Sequence, residues 1–275
     1  GEGIFTKKLK SLGIKYFSLD NLGRSSIFKI YNIIKKENID AVYGNSTHRS
    51  SRNALIASKL SRVPFICHIR EMGWGKSWYK LGYLKFADEI IAVSKASLNS
   101  INRFAPKNRS HVVYNGIGEL PKDINLNEHE ELISKLELNT NEYNILSVGH
   151  ICQRKGQILA VNSMPEIVKK NPRAKLYLIG STSREPIYVK ELKNRIKKLK
   201  LDKHIKICGF ISDLSKIYSL FDLYIHTALV DPHPRSVIEA MNNSLPVVGL
   251  DSDGVSETVV NDQTGVLVPK NSPDL

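Results

Sequence analysis

Residues 222–250 read DLYIHTALVDPHPRSVIEAMNNSLPVVGL, and this stretch decides the fold. It begins with the apolar run DLYIH, passes through a loop with two prolines into a helical segment, and ends in a second apolar run, PVVGL. Short, nearly continuous apolar runs indicate strands that are buried on both faces, and a helix between two such strands indicates a parallel connection. The stretch therefore predicts an α/β protein.

The same alternation runs along the whole chain and predicts parallel sheets covered by helices on both faces. Eleven strand candidates lie at residues 15–19, 40–44, 64–68, 89–93, 111–115, 144–149, 175–180, 204–209, 222–226, 246–250 and 265–269. A polar stretch without a strand, residues 118–143, interrupts them. We predict two Rossmann-like, doubly wound domains facing a central cleft, at residues 1–118 and 144–275, joined by a linker at 119–143. A barrel of eight strand–helix units is the competing architecture, but it predicts no such interruption.

The composition indicates a chain with sizeable cores and a strongly basic surface. Of its 275 residues, 41% are hydrophobic and 24% are charged, and the formal net charge is +13 at pH 7. A positive surface attracts nucleic acid, anionic lipid or phosphorylated substrates, and charge alone does not choose among them. The densest basic run, residues 190–206, has apolar residues at helical spacing and predicts a solvated helix face.

The apolar runs and the cysteines bear on where the protein resides. No apolar run approaches the roughly 18 residues that a membrane helix needs, and the first ten residues lack the apolar stretch of a signal peptide. Cys67, Cys152 and Cys208 lie far apart, in or beside apolar runs and without metal-like pairing. We therefore expect a soluble protein of the reducing cytoplasm.

A basic, aromatic segment, EMGWGKSWYKLGYLKF at residues 71–86, contains both tryptophans, Trp74 and Trp78. Aromatic rings at headgroup depth and lysines against anionic lipid suit a membrane interface, which would bring the protein to the inner face of the membrane. An amphipathic helix that packs on its own domain explains the pattern equally well. Binding of single-stranded nucleic acid is a third and remote interpretation.

The segment VGHICQRKG, residues 148–156, follows a predicted strand and suits a diphosphate. It turns at Gly149 and delivers Arg154 and Lys155 to the start of a helix. Cations beside exposed helix N–H groups favour an anion through both their charge and the amide dipoles. A pair of surface cations at a turn is the alternative, and the glycine and lysine spacing is not that of a Walker loop.

The segment DPHPRSVIEAM, residues 231–241, offers a second anion pocket. Pro234 can open a helix, and Ser236 stands beside the first free N–H groups of that helix. Glu239 lies about one turn further on, where its carboxylate could accept two hydroxyl hydrogen bonds from a sugar such as a ribose. A solvated carboxylate on the helix surface is the alternative for Glu239.

Seven stretches follow one another in the order of a known family: ADEIIAVSKAS, VVYNGI, ILSVGHICQRKG, AKLYLIGS, GFISDLSKIYSLFDLYIHTAL, DPHPRSVIEAMNNSLPVVGLDSDGVSETV and TGVLVP. With them the chain resembles the family-4 retaining glycosyltransferases of the GT-B fold over nearly its whole length. The resemblance implies transfer of a hexosyl unit, with retention at the anomeric carbon, from a nucleotide diphosphate sugar, with UDP-sugars favoured. It implies a glycan or lipid-linked acceptor hydroxyl, in polysaccharide or cell-envelope glycan synthesis.

The resemblance also implies roles for residues that follow the strands. Glu239 matches the glutamate expected on the nucleotide ribose. Asp231 matches the acid that faces the transferred sugar, but it is shorter than the glutamate of the family. Lys155 matches the lysine on the diphosphate of the sugar donor. His150 stands where the family has an arginine, which removes one diphosphate contact unless Arg154 supplies it.

Further positions of the family's donor site are matched nearby. The loop amides at Arg235 and Ser236 are similar to those that hold the distal phosphate. Three residues, Gly209, Phe210 and Ile211, resemble the region that lines the base, while Gly254 and Glu257 match a glycine-and-glutamate loop. We expect catalysis to depend mainly on stabilising the leaving diphosphate with Lys155, Arg154 and the loop amides.

Histidines and one asparagine of the first half of the chain also follow strands. His68, in PFICHIRE, falls where related enzymes often carry a histidine that reaches toward the sugar, and a histidine that caps a strand end is the alternative. We interpret His48 as an ordinary polar loop residue. The resemblance implies that Asn115-Gly116 is a structural turn, where the glycine permits a positive φ.

Asp251-Ser252-Asp253 raises the question of a metal, since an Asp-x-Asp pattern binds a divalent metal in GT-A glycosyltransferases. GT-B enzymes generally need none, and here the pattern precedes Gly254 in the matched loop. We therefore expect no metal and no cofactor other than the nucleotide sugar, and no nucleic acid partner.

Two other functions are compatible with the sequence, and the resemblance also bears on the length of the protein. A non-catalytic domain that binds a nucleotide sugar is suggested by the replacements at His150 and Asp231. A nucleotide-sugar epimerase would change the sugar donor without any acceptor. The resemblance starts inside the first domain and stops soon after residue 269, so we expect an intact mass well above 31 kDa.

Overall fold

The computed structural model describes residues 4–19, 23–47, 49–72, 75–118, 126–211 and 217–270. The chain divides into two compact units. The first unit comprises residues 1–69, 79–91 and 104–110, and the second unit comprises residues 70–78, 92–103 and 111–275. A four-stranded sheet, sheet A, lies mainly in the first unit, and a six-stranded sheet, sheet B, lies in the second.

Sheet A has the strand order β1-β2-β3-β4, with β1 at Val42–Gly44, β2 at Phe65–Ile69, β3 at Glu89–Ala92 and β4 at Ser110–Val112. The helices of this part of the chain are α1 at Ile4–Ser11, α2 at Ser25–Lys36, α3 at Arg49–Ser61 and α4 at Lys95–Asn99, with a 3₁₀ helix at Gly75–Phe86. Strands β1 and β2 pair in parallel. Phe65, Cys67 and Ile69 on β2 are fully buried, so one face of this strand forms the core of the sheet.

Sheet B has the strand order β10-β9-β8-β5-β6-β7. Its strands are β5 at Tyr143–Val148, β6 at Ala174–Ile179, β7 at Ile205–Gly209, β8 at Leu223–His226, β9 at Val247–Asp251 and β10 at Gly265–Pro269. The helices are α5 at Leu126–Leu136, α6 at Gln157–Lys170, α7 at Pro186–Lys198 and α8 at Arg235–Asn242. All five strand pairs are parallel.

The strand order of sheet B fixes where a ligand can bind. From β5 the chain adds β6 and β7 on one side, and it then returns to add β8, β9 and β10 on the other side of β5. The direction reverses between β5 and β8, so the loops that leave these two strands diverge and open a crevice at the carboxyl edge of the sheet. Open α/β sheets bind their ligands at such a switch point.

The residues of β6 show that both faces of sheet B are covered. Tyr177 and Ile179 belong to a core cluster that includes residues of α8, whereas Leu176 and Leu178 belong to a second cluster with residues of α6 and α7. Side chains alternate between the faces of a strand, so each cluster seals one face. The predicted class of two Rossmann-like parallel sheets is confirmed.

Ten of the eleven predicted strands are present. The strand predicted at residues 15–19 is wrong, because this segment has no strand partner in the described chain, Phe17 is 46% exposed and Lys15 bonds to Glu37 after α2. Helix α5 lies inside the predicted linker and buries Leu136 in a core cluster of sheet B, and the domain boundaries at 118 and 143 stay a prediction. Within the described residues, no helix is both long and apolar enough to cross a bilayer.

Candidate active site

A buried ion pair lies at the switch point of sheet B. The Lys155 loop, residues 149–156, follows β5, and the Asp231 loop, residues 227–234, follows β8. Nζ of Lys155 lies 2.5 Å from Oδ2 of Asp231, and the two side chains are only 15% and 8% exposed. The structure thus brings together two residues that the sequence assigned to one site.

Backbone contacts between the two loops hold the pair in place. Gly156 has a φ of 62°, and a Cβ there would lie 2.2 Å from the carbonyl oxygen of Thr227, so only glycine fits. The hydroxyl of Thr227 donates to the carbonyl of Lys155 at 3.2 Å. The N–H of Leu229 donates to the carbonyl of Arg154 at 2.9 Å. Each loop is therefore a support for the other.

A buried histidine accompanies the pair. Nε2 of His226, the last residue of β8, lies 3.4 Å from Oδ2 of Asp231. Burial alone would raise the pKa of Asp231, but the nearby His226 ring and the charge of Lys155 outweigh it and hold this pKa well below its usual range. Burial lowers the pKa of His226. At neutral pH Asp231 is therefore ionised and His226 is neutral.

Arg154 and His150 are the other polar residues of the Lys155 loop. Nη1 of Arg154 donates to the carbonyl of Val230 at 2.7 Å, which holds one end of the guanidinium beside the Asp231 loop. Burial lowers the pKa of His150, and the charges of Arg184 and Lys155 lower it further. His150 is consequently neutral at neutral pH and supplies no cation where the resemblance expects an arginine.

Gly149 and Gln157 shape the Lys155 loop from inside. A Cβ at Gly149 would lie 3.3 Å from the Lys155 side chain, so the glycine leaves room for the lysine stem. The buried Gln157 donates from Nε2 to the carbonyl of His150 at 2.8 Å and accepts the N–H of Cys152 at 3.4 Å. No sequence pattern predicts this role of Gln157 beyond its place after Gly156.

Helix α8 presents its first turn and Glu239 beside the Asp231 loop. Pro234 is the N-cap residue, and the N–H groups of Arg235 and Ser236 precede the first hydrogen bond of the helix. Oε2 of Glu239 accepts a hydrogen bond from the hydroxyl of Tyr218 at 2.9 Å, and Oε1 lies 3.6 Å from Nη2 of Arg235. The Glu239 side chain is 28% exposed, so this carboxylate is held and partly buried.

The end of β7 carries the three residues expected at the base. Gly209 has a φ of 76°, which turns the chain out of the strand. Phe210 is 71% exposed and presents a free ring face, whereas Ile211 is 6% exposed and packs in a core cluster of sheet B. Of the two side chains, Phe210 is thus the one available to a ligand.

The Gly254 loop, residues 252–257, packs against the Asp231 loop. A Cβ at Gly254 would lie 1.9 Å from the carbonyl oxygen of Pro232, so the approach requires glycine. The N–H of Gly254 donates to the carbonyl of Asp231 at 3.1 Å. The position of the Asp231 backbone therefore depends on the Gly254 loop.

The two carboxylates of Asp251-Ser252-Asp253 accept hydrogen bonds from different donors. Oδ2 of Asp253 accepts the N–H of Asp231 at 3.3 Å, and Oδ1 of Asp251 accepts the hydroxyl of Ser256 at 2.6 Å. Across the residues that the structure describes, no three His, Cys, Asp or Glu side chains are grouped as a metal ion would need. The expectation that no metal takes part stays a prediction.

Glu257, expected near the sugar donor, is engaged by other residues of the second unit. Its Oε2 accepts the N–H of Lys95 at 2.8 Å and the hydroxyl of Tyr114 at 2.9 Å, and its Oε1 accepts the N–H of Ala96 at 2.7 Å. Three donors thus hold one carboxylate.

His68 lies on β2 in the first unit. Its Nδ1 lies 2.5 Å from the hydroxyl of Tyr43, and the two rings meet edge to face with centroids 5.7 Å apart. The histidine is thus oriented by the neighbouring strand β1, and its proposed contact with a sugar stays a prediction. His48 and Trp74 lie outside the described residues, as does the side chain of Trp78.

Four residues of the site escaped the sequence interpretation: His226, His233, Tyr218 and Tyr114. His226 ends a strand at the switch point, which is a usable signal. His233 lies within the Asp231 loop, but its partners Tyr114 and Asn115 are distant in sequence. Tyr218 and Tyr114 reach the site only through contacts with residues distant in sequence, which composition and spacing do not predict.

Two family models match the chain. The model of the glycosyl transferases group 1 matches residues 128–275, and the model of glycosyltransferase family 4 matches residues 9–118. An uncharacterised glycosyltransferase of Methanocaldococcus jannaschii is 26% identical over 78% of this chain and 58% of its own length. The alpha-monoglucosyldiacylglycerol synthase of Acholeplasma laidlawii is 22% identical over 93% of this chain and 62% of its own length. The chain therefore spans about six tenths of these two relatives.

A solved structure shares the fold. The crystal structure of Anabaena Alr3699/HepE in complex with UDP-glucose superposes with a TM-score of 0.84 at 23% identity, over 98% of this chain and 76% of that one. The two family models and this structural likeness confirm the resemblance that the sequence motifs indicated.

Proposed function

Because the chain belongs to the glycosyl transferases group 1 family, we propose that it is a retaining glycosyltransferase. It moves a hexosyl unit from a nucleotide diphosphate sugar to the hydroxyl of a glycan or lipid-linked acceptor, without a metal. The observation that carries the proposal is the buried pair of Lys155 and Asp231 at the switch point, next to the open first turn of α8.

The diphosphate of the sugar donor is held where positive potential is concentrated. Lys155 supplies a cation, Arg154 a second one, and the N–H groups of Arg235 and Ser236 point their dipoles at the same anion. Charge develops on the leaving diphosphate as the glycosidic bond breaks, so these groups stabilise the transition state more than the bound sugar donor.

Asp231 and Glu239 bind different parts of the sugar donor. Asp231 is ionised at neutral pH and faces the transferred sugar, where it accepts hydroxyl hydrogen bonds and counters positive charge at the anomeric carbon. Glu239 accepts the ribose hydroxyls, with Tyr218 fixing the direction of its carboxylate. Phe210 offers a ring on which a base can stack, since its face is exposed. We also assign to His68 a contact with the transferred sugar.

UDP is the favoured nucleotide and a glycan or lipid the favoured acceptor class. HepE was crystallised with UDP-glucose, and the Acholeplasma relative is named as a synthase of a glucosylated diacylglycerol. Another relative, CapM of Staphylococcus aureus, is named for capsular polysaccharide biosynthesis. These names support a role in the synthesis of a glycolipid or a cell-envelope glycan, which we propose takes place in the cytoplasm, at the inner face of the membrane.

Thermal unfolding with a set of nucleotides tests the sugar-donor assignment. A ligand that binds only the folded state stabilises it by about 2.7 kcal/mol at roughly 100 times its Kd. UDP is expected to raise the Tm more than ADP, GDP or UMP, because both the base and the distal phosphate are bound. Equal Tm values with and without every nucleotide diphosphate would contradict the proposal.

Assays with UDP-sugars separate the proposal from its two alternatives. A transferase consumes the sugar donor faster when a glycan or lipid acceptor is present and gives a product with the anomeric configuration of the donor. A nucleotide-sugar epimerase changes the sugar without an acceptor. A non-catalytic domain binds UDP and leaves every UDP-sugar intact.

A groove in the first unit supports attachment to an anionic membrane. It has a volume of about 530 Å³ and lies between α3 and the end of the 3₁₀ helix at Gly75–Phe86. Its lining includes the exposed apolar side chains of Leu60 and Phe86, at 57% and 56% exposure, and the cation Lys85. Lys59 and Arg109 also line the groove, but Lys59 is paired with Asp88 and Arg109 donates to the carbonyl of Ala87. Apolar side chains beside a lysine suit the boundary between acyl chains and acidic headgroups.

Sedimentation with vesicles tests this surface. The double variant Lys85→Glu, Phe86→Ser is expected to bind vesicles of phosphatidylglycerol and phosphatidylcholine about tenfold more weakly, since it reverses one charge and removes one apolar anchor. Ile187→Ser, at a residue of α7 that is 86% exposed, is the matched control and should bind as the wild type does. Equal binding by the double variant and the control argues against the groove.

A further inference from the structure

Residues Tyr114 and Asn115 contact two loops at the candidate site, the Gly254 loop and the Asp231 loop. The hydroxyl of Tyr114 donates to Oε2 of Glu257 at 2.9 Å, on the Gly254 loop. Nδ2 of Asn115 donates to the carbonyl of His233 at 2.9 Å, and its N–H lies 3.3 Å from Nδ1 of the same histidine, on the Asp231 loop. Two neighbouring residues thus reach two loops that lie 118 or more positions further along the chain.

The ring of Tyr114 also packs on His233. Their centroids are 5.2 Å apart at an angle of 34°, and His233 is 7% exposed. Burial lowers the pKa of His233, so it is neutral at neutral pH and its Nδ1 can accept the N–H of Asn115. The rings of Tyr114 and His233 are therefore in direct contact, and hydrogen bonds from Tyr114 to Glu257 and from Asn115 to His233 flank them.

Glu257 connects this contact to the charged centre of the site. The Glu257 carboxylate accepts hydrogen bonds from three donors, on Lys95, Ala96 and Tyr114, which stabilise it and fix its direction. The Gly254 loop that it anchors supports the backbone of Asp231 through Gly254 and Asp253. A shift of Glu257 would hence move Asp231 and, with it, Lys155.

We propose that Tyr114 and Asn115 are positioning residues for the sugar donor and that they act through Glu257 and His233. In this arrangement Glu257 stabilises the conformation of the Gly254 loop and does not contact the nucleotide. This inference depends on the proposed function, because it names the residues that set the affinity of the same site. It changes the role of Glu257 and of Asn115, which the sequence assigned to the sugar donor and to a structural turn.

A double-mutant cycle with UDP as the probe tests the inference. Tyr114→Phe keeps the ring on His233 and removes only the hydroxyl, so the Kd for UDP measured by calorimetry is expected to rise about tenfold while the Tm stays within about 2 °C of the wild type. In a Glu257→Ala background the same change should have no further effect on the Kd. Asn115→Ala tests the second contact and is expected to weaken UDP binding to a similar degree.

Tyr143→Phe is the matched control, since Tyr143 begins β5 at the opposite end of that strand from the Lys155 loop. It should bind UDP as the wild type does. If Tyr114→Phe binds UDP like this control, or if its effect persists undiminished in the Glu257→Ala background, the inference is wrong while the proposed function stands. If the wild type itself binds no UDP, both are overturned.

Discussion

Replacing Lys155 with alanine is expected to lower kcat/KM for a UDP-sugar about a thousandfold, which corresponds to about 4.1 kcal/mol. The variant loses the cation that, in the proposed function, meets the diphosphate as charge develops on it. It also leaves the carboxylate of Asp231 buried without its partner, since that side chain is only 8% exposed. The first effect acts on the transition state and the second disturbs the Asp231 loop that lines the site, so the loss exceeds that of an ordinary surface contact.

Lys169→Ala provides the matched control for Lys155→Ala. Its side chain is 77% exposed and lies 3.9 Å from Glu166, a pair of the kind that contributes little. Steady-state kinetics of the two variants with the same UDP-sugar make the comparison. If kcat/KM of the Lys155→Ala variant lies within about threefold of that of the control, Lys155 does not take part in the mechanism.

The Lys155→Ala variant should also respond differently to pH. The folded-state pKa of Asp231 lies below its unfolded value, so the pair stabilises the fold above about pH 4, and this stabilisation is lost as the pH falls through the folded pKa. The difference in unfolding free energy between wild type and variant should therefore be largest near neutral pH and shrink below about pH 4. Urea unfolding at several pH values measures it.

The sequence could predict sheet B and the identity of its central pair because both depend on local patterns. Apolar runs marked all six strands of sheet B, and a cation and an acid in the loops after β5 and β8 marked Lys155 and Asp231. The strand order that makes these two loops neighbours is a property of the whole sheet. Residues 15–19 have a similar local pattern, but in the described chain they pair with no other strand. An apolar run forms a strand only where a partner strand lies beside it.

The sequence assigned Glu257 to the sugar donor because its loop matches that of a family, and a match carries no information about what the carboxylate touches. Its partners at Lys95 and Ala96 lie more than 160 positions earlier in the chain. The same limit applies to Glu239, whose carboxylate is oriented by Tyr218, a buried residue of the 3₁₀ helix at Tyr218–Leu220. Roles that depend on one residue's neighbours in space emerge only once the chain is folded.

Replacing Glu239 with alanine is expected to raise the Kd for UDP about a hundredfold, or about 2.7 kcal/mol. A hydrogen bond to a charged group contributes roughly 1.5–3 kcal/mol, and the variant loses the two proposed bonds to ribose hydroxyls. The hydroxyl of Tyr218, which is buried and held protonated by that burial, also loses its acceptor. Calorimetry with UDP measures the loss, and Glu166→Ala, whose side chain is 73% exposed on α6, should show none.

A deoxynucleotide separates the ribose contact from a general loss of structure at Glu239. The wild type is expected to bind 2′-deoxy-UDP about tenfold more weakly than UDP, because one hydroxyl that the carboxylate accepts is missing. Glu239→Ala should bind the two nucleotides equally, since the partner of that hydroxyl is gone. If the variant still prefers UDP over 2′-deoxy-UDP by the wild-type factor, the ribose is recognised by other residues and Glu239 acts only through Tyr218 and Arg235.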